Sequence, residues 1–388
     1  MPARILKVLY DASLAANPAG TGTFVRGLLA ALQRTDGVHV VVSDFTTTSV
    51  ASIDVPRKAP ARRLLSAVAH LRYFAVDLPG RARRAGCDLI FAPTSLGPLR
   101  GRTPSVITVH DLAPFRYAQT VPWMSRPYLR AMLTVQLRRS AAVCTVSDAV
   151  RGEILTAFPA LQADRVHVVA DAPDPALLTA AAVPVERVES PFFLMVGTIE
   201  PRKNHVSVLR AFAAYHDRTP HAREVLVLAG SPGWLYDEIF SSIARLGLES
   251  RVRTLGRVDA GRLRWLYQHA RALLFPSLYE GFGIPVVEAF ALGCPVIAAR
   301  IPSVLEVAGT GTAILLDPLD LPAWTQAMAA AAATPADDRM TAAARERATS
   351  FSWEASARAL REVLLETAAS SGSARSNQAA APSGSSGA

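Results

Sequence analysis

Cysteine is scarce in this 388-residue chain: Cys87, Cys144 and Cys294 are odd in number, far apart and nowhere at metal-ligand spacing. That excludes a disulfide framework and predicts a reducing, cytoplasmic setting. No uncharged apolar run reaches the roughly 18–20 residues that span a bilayer. Lys7 and Asp11 break the opening apolar stretch too early for a secretory signal. Aromatic residues make up only 7% and do not cluster as a stacking platform, and no DNA- or RNA-binding signature is present, so nucleic acid is not an expected partner. The chain also lacks a Gly-x-x-x-x-Gly-Lys phosphate loop and a Gly-x-Gly-x-x-Gly dinucleotide fingerprint, which argues against P-loop and nicotinamide enzymes.

What is present is an α/β rhythm. Half of the residues are hydrophobic, and the length suits two domains, each able to bury a core. Short apolar segments at 5–10, 38–42, 88–92, 105–109 and 141–146 alternate with helical patterns at 23–33 and 148–158. A proline-punctuated linker at 171–190 follows. The alternation then resumes, with strands at 192–196, 224–229, 252–255, 272–275 and 295–299 and helices at 205–214, 236–246, 261–270 and 285–292. Such alternation predicts parallel, doubly wound sheets. The expected architecture is two Rossmann-like domains facing across a cleft, residues 1–180 and 190–351. A closing helix at 352–367 and a disordered Ser/Gly/Ala/Pro-rich tail at 368–388 complete the chain.

The net charge of +9 lies in the first half: residues 1–180 hold 21 Lys+Arg against 12 Asp+Glu, and the remainder holds 20 of each. Such asymmetry points to an anionic partner. Between residues 57 and 84 stand Arg57, Lys58, Arg62, Arg63, Arg72, Arg81, Arg83 and Arg84. Leu64, Val68, Leu71 and Ala75 thread through them at helical spacing, with Tyr73 and Phe74 alongside. The segment reads either as a basic amphipathic helix for an anionic membrane surface or as a packed helix with a solvated basic face.

Two loops carry chemistry. Residues 277–290 read Ser-Leu-Tyr-Glu-Gly-Phe-Gly-Ile-Pro-Val-Val-Glu-Ala-Phe, between a strand and a helix that Pro285 helps to start and Gly293 ends. Gly281 and Gly283 permit close approach of the backbone to a ligand, leaving amides of Phe282, Gly283 and Ile284 for its oxygens. Glu280 and Glu288 would then flank that ligand as acceptors for vicinal hydroxyls, unless both are surface charges favoured by a helix N-terminus. Residues 197–204, Gly-Thr-Ile-Glu-Pro-Arg-Lys-Asn, follow a strand, with Asn204 placed to cap the next helix. Arg202 and Lys203 suit a diphosphate, the first as a planar fork and the second as a point charge; solvated charges after a turn are the alternative. In the first half, Gly20-Thr21-Gly22-Thr23 opens a helix, and His110-Asp111 ends a strand, where a lone histidine is either structural or part of a site.

The Glu-x7-Glu arrangement around Gly-Phe-Gly-Ile-Pro resembles the retaining glycosyltransferases of family 4, which have the GT-B fold, and the other loops look like that family's as well. The resemblance implies that Glu280 holds hydroxyls of the transferred sugar and Glu288 the ribose of a nucleotide. The amides of Phe282, Gly283 and Ile284 would contact sugar and phosphate, and those near Gly22 and Thr23 would approach the donor phosphate at a helix N-terminus. His110 would sit beside the reacting carbon, Asp111 would orient it or meet the acceptor, and Ser147 would cap a helix. Val258 would read the base. Lys203 matches the family lysine, but Thr198 stands where many members have arginine, so Arg202 is expected to replace it.

No Asp-x-Asp pair occurs, so no metal and no other cofactor is expected. No carboxylate nucleophile emerges, which favours front-face transfer assisted by the departing diphosphate. The implied donor is a hexose on a nucleoside diphosphate, GDP-mannose or a related GDP-deoxyhexose by the form of the 197–204 loop, with UDP-sugars open. The implied acceptor is a saccharide or lipid-linked saccharide in surface polysaccharide synthesis, at the inner face of a membrane. A sugar-nucleotide epimerase of the same fold and a non-catalytic basic binding module are the competing readings.

Overall fold

The computed structural model describes residues 5–17, 19–43, 68–120, 126–188, 191–334 and 337–380. Its frame is two six-stranded sheets whose neighbouring strands pair in parallel. The first contains β1 (Leu6–Tyr10), β2 (Val38–Val42), β3 (Leu89–Ala92), β4 (Ser105–Val109), β5 (Ala142–Thr145) and β6 (Val166–Val168), ordered β2-β1-β3-β4-β5-β6. The second contains β7 (Phe192–Val196), β8 (Val225–Ala229), β9 (Val252–Gly256), β10 (Ala272–Phe275), β11 (Val296–Ala299) and β12 (Ile314–Leu316), ordered β12-β11-β10-β7-β8-β9. Helices cover both faces, which is why β3, β4, β5, β8, β10 and β11 are buried at every residue and read as unbroken apolar runs. Both doubly wound sheets that the alternation predicts are present, in keeping with the GT-B fold that the resemblance implies.

In each sheet the chain begins on an inner strand, β1 or β7, winds one way and then crosses to the other side. The strand order therefore reverses between β1 and β3 and between β7 and β10. Crevices open beyond the carboxyl ends of strands at such points, and the loops after β7 and β10 meet at one of them.

Several elements escaped the sequence reading. β6 and β12 have three residues each, too few to show a period, and the helices Arg126–Arg139, Pro302–Ala308, Leu321–Ala333 and Asp338–Ala348 were not anticipated. The linker holds a short helix, Pro175–Thr179, capped by Asp174, whose Oδ1 accepts from the Ala176 amide at 2.9 Å.

The last helix, Trp353–Ala380, returns to the first sheet. Trp353 Nε1 donates to the Pro173 carbonyl at 2.9 Å, its ring meets Phe24 edge-on at 5.9 Å, and Ser356 Oγ donates to the Ala170 carbonyl at 2.7 Å. This helix continues past residue 367, so residues 368–380 are helical where the small-residue composition predicts disorder. Its alanines favour that extension of the helix, while its serines and Gly372 oppose it.

Of the basic segment 57–84, residues 57–67 lie outside the described residues. From Tyr73 to Asp77 the helix has a π-helical turn, followed by the helix Leu78–Arg84. Tyr73, Phe74, Leu78 and Ala82 pack under the sheet beside Leu9 and Ile90. Val68, Leu71 and Val76 face outward, so the predicted Val68–Leu71 stripe is a surface feature. Among the described residues, no helix is long and apolar enough to cross a membrane.

Candidate active site

The β7 and β10 loops bring Arg202, Lys203, Glu200 and Glu280 into one ion-pair cluster. Arg202 Nη1 donates to Glu280 Oε2 and to the Tyr279 carbonyl, both at 2.8 Å, while Nη2 lies 2.7 Å from Glu200 Oε1. Lys203 Nζ donates to Glu280 Oε1 at 2.5 Å and sits 5.2 Å above the centre of the Phe275 ring. The Leu278 amide donates to the Arg202 carbonyl at 2.9 Å, fixing one loop on the other. Two cations and two carboxylates thus neutralise each other with little solvent, so Arg202 and Lys203 do not stand free at the cleft mouth. Burial would raise the Glu280 carboxyl, but Arg202 and Lys203 overcome it and hold the pKa at about 2. For Glu200 burial wins and the pKa rises despite the same two cations.

Asn204 occupies the helix boundary but does not cap it. Its backbone is left-handed, φ 56°, and its Nδ2 donates to the carbonyls of Pro276 at 3.2 Å and Pro318 at 2.9 Å. Asparagine tolerates that conformation, and the side chain is diverted from capping to joining the β7 and β10 loops. Thr198, at the place of the expected arginine, turns its methyl group onto the backbone at Gly233.

Glu288 lies on the inward face of the helix Ile284–Leu292 and is 6% exposed. The Tyr267 hydroxyl donates to its Oε2 at 2.9 Å, and burial, reinforced by the charge of Asp174, pushes its pKa up to about 7. Neither glutamate is therefore a solvated surface charge. Phe282 is buried edge-on against Phe351 at 5.3 Å, and Gly283 has φ +118°, which an L side chain resists. No described group accepts a hydrogen bond from the amides of Phe282, Gly283 or Ile284.

The first domain supplies the facing loops. The helix there begins at Gly20 rather than Thr23, and the amides of Gly22 and Thr23 donate to the Ala19 carbonyl at 2.9 and 3.3 Å. The amides that donate no hydrogen bond among the described residues are those of Gly20 and Thr21, two residues before Gly22 and Thr23. Gly20 lies against Ile284 of the other domain. His110 Nε2 is 2.9 Å from the Pro93 carbonyl oxygen, so Nε2 carries the proton and Nδ1 is left as an acceptor. Burial lowers the pKa of His110, and its ring meets Phe24 edge-on at 4.8 Å. Asp111 Oδ1 accepts from the Ala113 amide at 3.0 Å. Val258 follows β9, partly buried, and no hydrogen bond links it to the Arg202–Glu280 cluster.

Contacts across the domains are direct. Ser147 Oγ caps its helix by accepting from the Val150 amide at 3.2 Å and donates to the Gly281 carbonyl at 2.6 Å. The Glu306 carboxylate accepts from the amides of Asp148 and Ala149 at 2.9 and 3.0 Å, stabilising the same helix N-terminus. The sequence reading missed Glu200, Tyr267, Tyr279, Glu153 and Glu306. Only Glu200 and Tyr279 lie inside the two chemistry-bearing loops; Tyr267 meets Glu288 from another helix, and Glu153 and Glu306 meet partners more than a hundred positions away, so nothing local in the sequence joins them. Among the described residues, no three His, Cys, Asp or Glu side chains converge as metal ligands.

Comparison with known proteins gives a consistent likeness. Residues 18–177 match the family "Glycosyltransferase Family 4" and residues 180–347 match "Glycosyl transferases group 1". The chain is 33% identical over 226 residues to O-antigen chain mannosyltransferase B of Escherichia coli, covering 56% of this chain and 58% of that protein. It is 29% identical over 230 residues to O-antigen chain mannosyltransferase RfbU of Salmonella typhimurium, covering 59% and 60%. The match thus spans about three fifths of the length of these relatives. Among solved structures, sucrose-phosphate synthase from Thermosynechococcus elongatus superposes with a TM-score of 0.71 at 20% identity, covering 94% of this chain and all of that one. A second, Anabaena Alr3699/HepE in complex with UDP and glucose, gives 0.66 at 19% identity, covering 93% and 100%.

Proposed function

Because the chain belongs to glycosyltransferase family 4, we propose that it moves a hexose, mannose first among them, from a nucleoside-diphosphate sugar to a saccharide or lipid-linked saccharide acceptor, retaining anomeric configuration and using no metal ion. The observation that carries this reading is the Arg202–Lys203–Glu280 cluster at the β7/β10 crevice, opposite His110. A bound donor exchanges partners with it. Sugar hydroxyls take over the Glu280 oxygens, and the diphosphate takes the guanidinium and ammonium that Glu280 holds when no donor is bound.

In the transfer step the bond from the anomeric carbon to the diphosphate oxygen breaks while the acceptor hydroxyl oxygen bonds to that carbon from the same face. The acceptor proton passes to the departing diphosphate. Arg202, Lys203 and the amides at Phe282, Gly283 and Ile284 stabilise the growing leaving-group charge. His110, neutral and with Nδ1 free to accept, receives a sugar hydroxyl. Glu288 receives the ribose. Val258 reads the base, and Asp111 meets the acceptor.

The mannosyl preference is supported by the names of the two bacterial relatives above and by the form of the 197–204 loop. Contact with an anionic membrane surface is supported by Val68, Leu71 and Val76 facing outward on a helix that also carries Arg72, Arg81, Arg83 and Arg84. The decisive experiment is a thermal-shift panel of GDP-, UDP- and ADP-sugars, followed by product analysis with the stabilising donor in the presence of a chelator. Stabilisation by one donor and chelator-resistant transfer support the reading. Absence of any stabilising sugar nucleotide refutes it, and loss of turnover restored by magnesium refutes its metal-free form.

A further inference from the structure

Tyr279 belongs by sequence to the β10 loop, next to Glu280, yet its side chain enters the first domain. Its carbonyl accepts from Arg202 Nη1 at 2.8 Å. Its hydroxyl accepts from the Leu112 amide at 2.8 Å and donates to Glu153 Oε2 at 2.7 Å. Its ring stacks on Tyr117 with centroids 4.9 Å apart and planes 23° from parallel. Leu112 directly follows His110 and Asp111, and Glu153 lies on the helix Asp148–Ala157, whose first amides Glu306 of the second domain receives.

One residue therefore touches the loop bearing His110, a helix of the first domain, and the guanidinium that holds Glu280. Leu112 is fully buried. Separating the domains would take this acceptor from its amide and this donor from Glu153, leaving both to find water instead. A merely structural aromatic would need the ring alone. The hydroxyl, bonded on both sides to first-domain groups, adds a directional tie between the two halves of the site.

We propose that Tyr279 is a positioning residue, setting the Arg202–Glu280 cluster in register with the His110 loop so that transfer is competent only while its hydroxyl bridges Leu112 and Glu153. This inference rests on the transferase reading above. Tyr279 touches no substrate atom in this scheme. It acts through Arg202 on one side and through the His110 loop on the other, and alignment of reacting groups is where small displacements cost most rate.

The test compares Tyr279→Phe, Glu153→Leu and Glu153→Gln with the parent protein, using the preferred sugar nucleotide. Tyr279→Phe keeps the ring stack and loses the bridge, so kcat falls about tenfold, the magnitude of one lost hydrogen bond to a charged group. Donor KM stays within about twofold, because bound donor still meets Arg202, Lys203 and Glu288. The share of donor lost to hydrolysis rises as closure loosens. Glu153→Leu removes the bridge from the other end without altering the β10 loop and reproduces this pattern. Glu153→Gln keeps an acceptor oxygen for the phenol and behaves as the parent does.

Parent-like kcat and hydrolysis share in Tyr279→Phe, while the parent turns over, overturn the coupling and leave the transferase reading standing. A parent inert with every sugar nucleotide overturns the transferase reading instead. Small-angle scattering then decides the coupling. Tyr279→Phe and Glu153→Leu must show a larger radius of gyration than the parent and Glu153→Gln the same one, whereas equal radii for all four refute it.

Discussion

Gly281 and His110 touch backbone to backbone across the two domains: a β-carbon at Gly281 would lie deep inside contact distance of the His110 carbonyl oxygen. This glycine is required by proximity, not by an unusual dihedral. Gly281→Ala must therefore push the Glu280 loop away from the His110 loop, since neither backbone can yield as a flexible side chain would. The expected outcome is a fall in kcat of at least about a hundredfold, the scale of a misplacement near 1 Å. Circular dichroism should be unchanged, because the clash lies between the domains rather than inside either core. Full activity in this variant would show that the two loops do not meet during turnover.

The ion-pair cluster predicts unequal effects from its two ends. Lys203→Ala leaves Glu280 held by Arg202, so the fold survives while turnover drops about 100- to 1,000-fold through loss of one charge aimed at the diphosphate. Glu280→Gln leaves Arg202 and Lys203 adjacent with Glu200 as their only carboxylate partner in the cluster. Breaking a buried pair from one side costs about 3 kcal/mol, so this variant loses stability as well as activity. Denaturant midpoints measured beside kcat separate the two effects.

Much of this was legible in the sequence, and the part that was not has a common cause. The apolar runs of β3, β4, β8, β10 and β11 announce parallel strands because each is covered on both faces, and the Glu280–Glu288 loop is marked by its glycines and by Pro285. Which groups those glutamates meet is not local information. Glu280 finds Arg202 and Lys203 only because β7 and β10 are neighbours in the sheet, and Glu288 finds Tyr267 through helix packing. The Gly22 and Thr23 amides are taken up inside the helix because it starts at Gly20, before any apolar periodicity begins. Asn204 has the composition of a cap, but its left-handed backbone aims it elsewhere.

Glu288 gives a pH signature opposite in sign to that of Glu280. Its pKa rises from 4.5 to about 7 on folding, so between those values the native form binds a proton that the unfolded chain has already released. That contribution to stability is full below pH 4.5 and is lost as pH rises towards 7, a change of about 3 kcal/mol. Glu280 falls from 4.5 to about 2, so its contribution is present above pH 4.5 and disappears as pH falls towards 2. Glu288→Gln should flatten the decline between pH 4.5 and 7 relative to the parent in urea midpoints. In the parent, donor affinity should strengthen as pH passes 7, because the ionised carboxylate is the better acceptor for ribose hydroxyls. An identical stability profile in Glu288→Gln would show that this carboxyl titrates normally.

Trp353 is where the end of the chain returns to its beginning. It is 5% exposed, donates to the Pro173 carbonyl and packs edge-on against Phe24, whose ring also meets that of His110. Trp353→Ala removes a large buried side chain at the junction of the linker, the first-domain helix Gly20–Leu32 and the last helix, leaves Pro173 without its donor and opens a cavity. The expected cost is about 3–5 kcal/mol. Because Phe24 loses a ring neighbour while keeping the His110 ring, the disturbance should reach His110 and raise donor KM as well. Trp353→Phe refills most of the volume without the indole N–H, so it should recover most of the stability and separate packing from the hydrogen bond, about 1 kcal/mol for the latter. A Trp353→Ala protein that melts with the parent would mean that the last helix does not hold the two domains together.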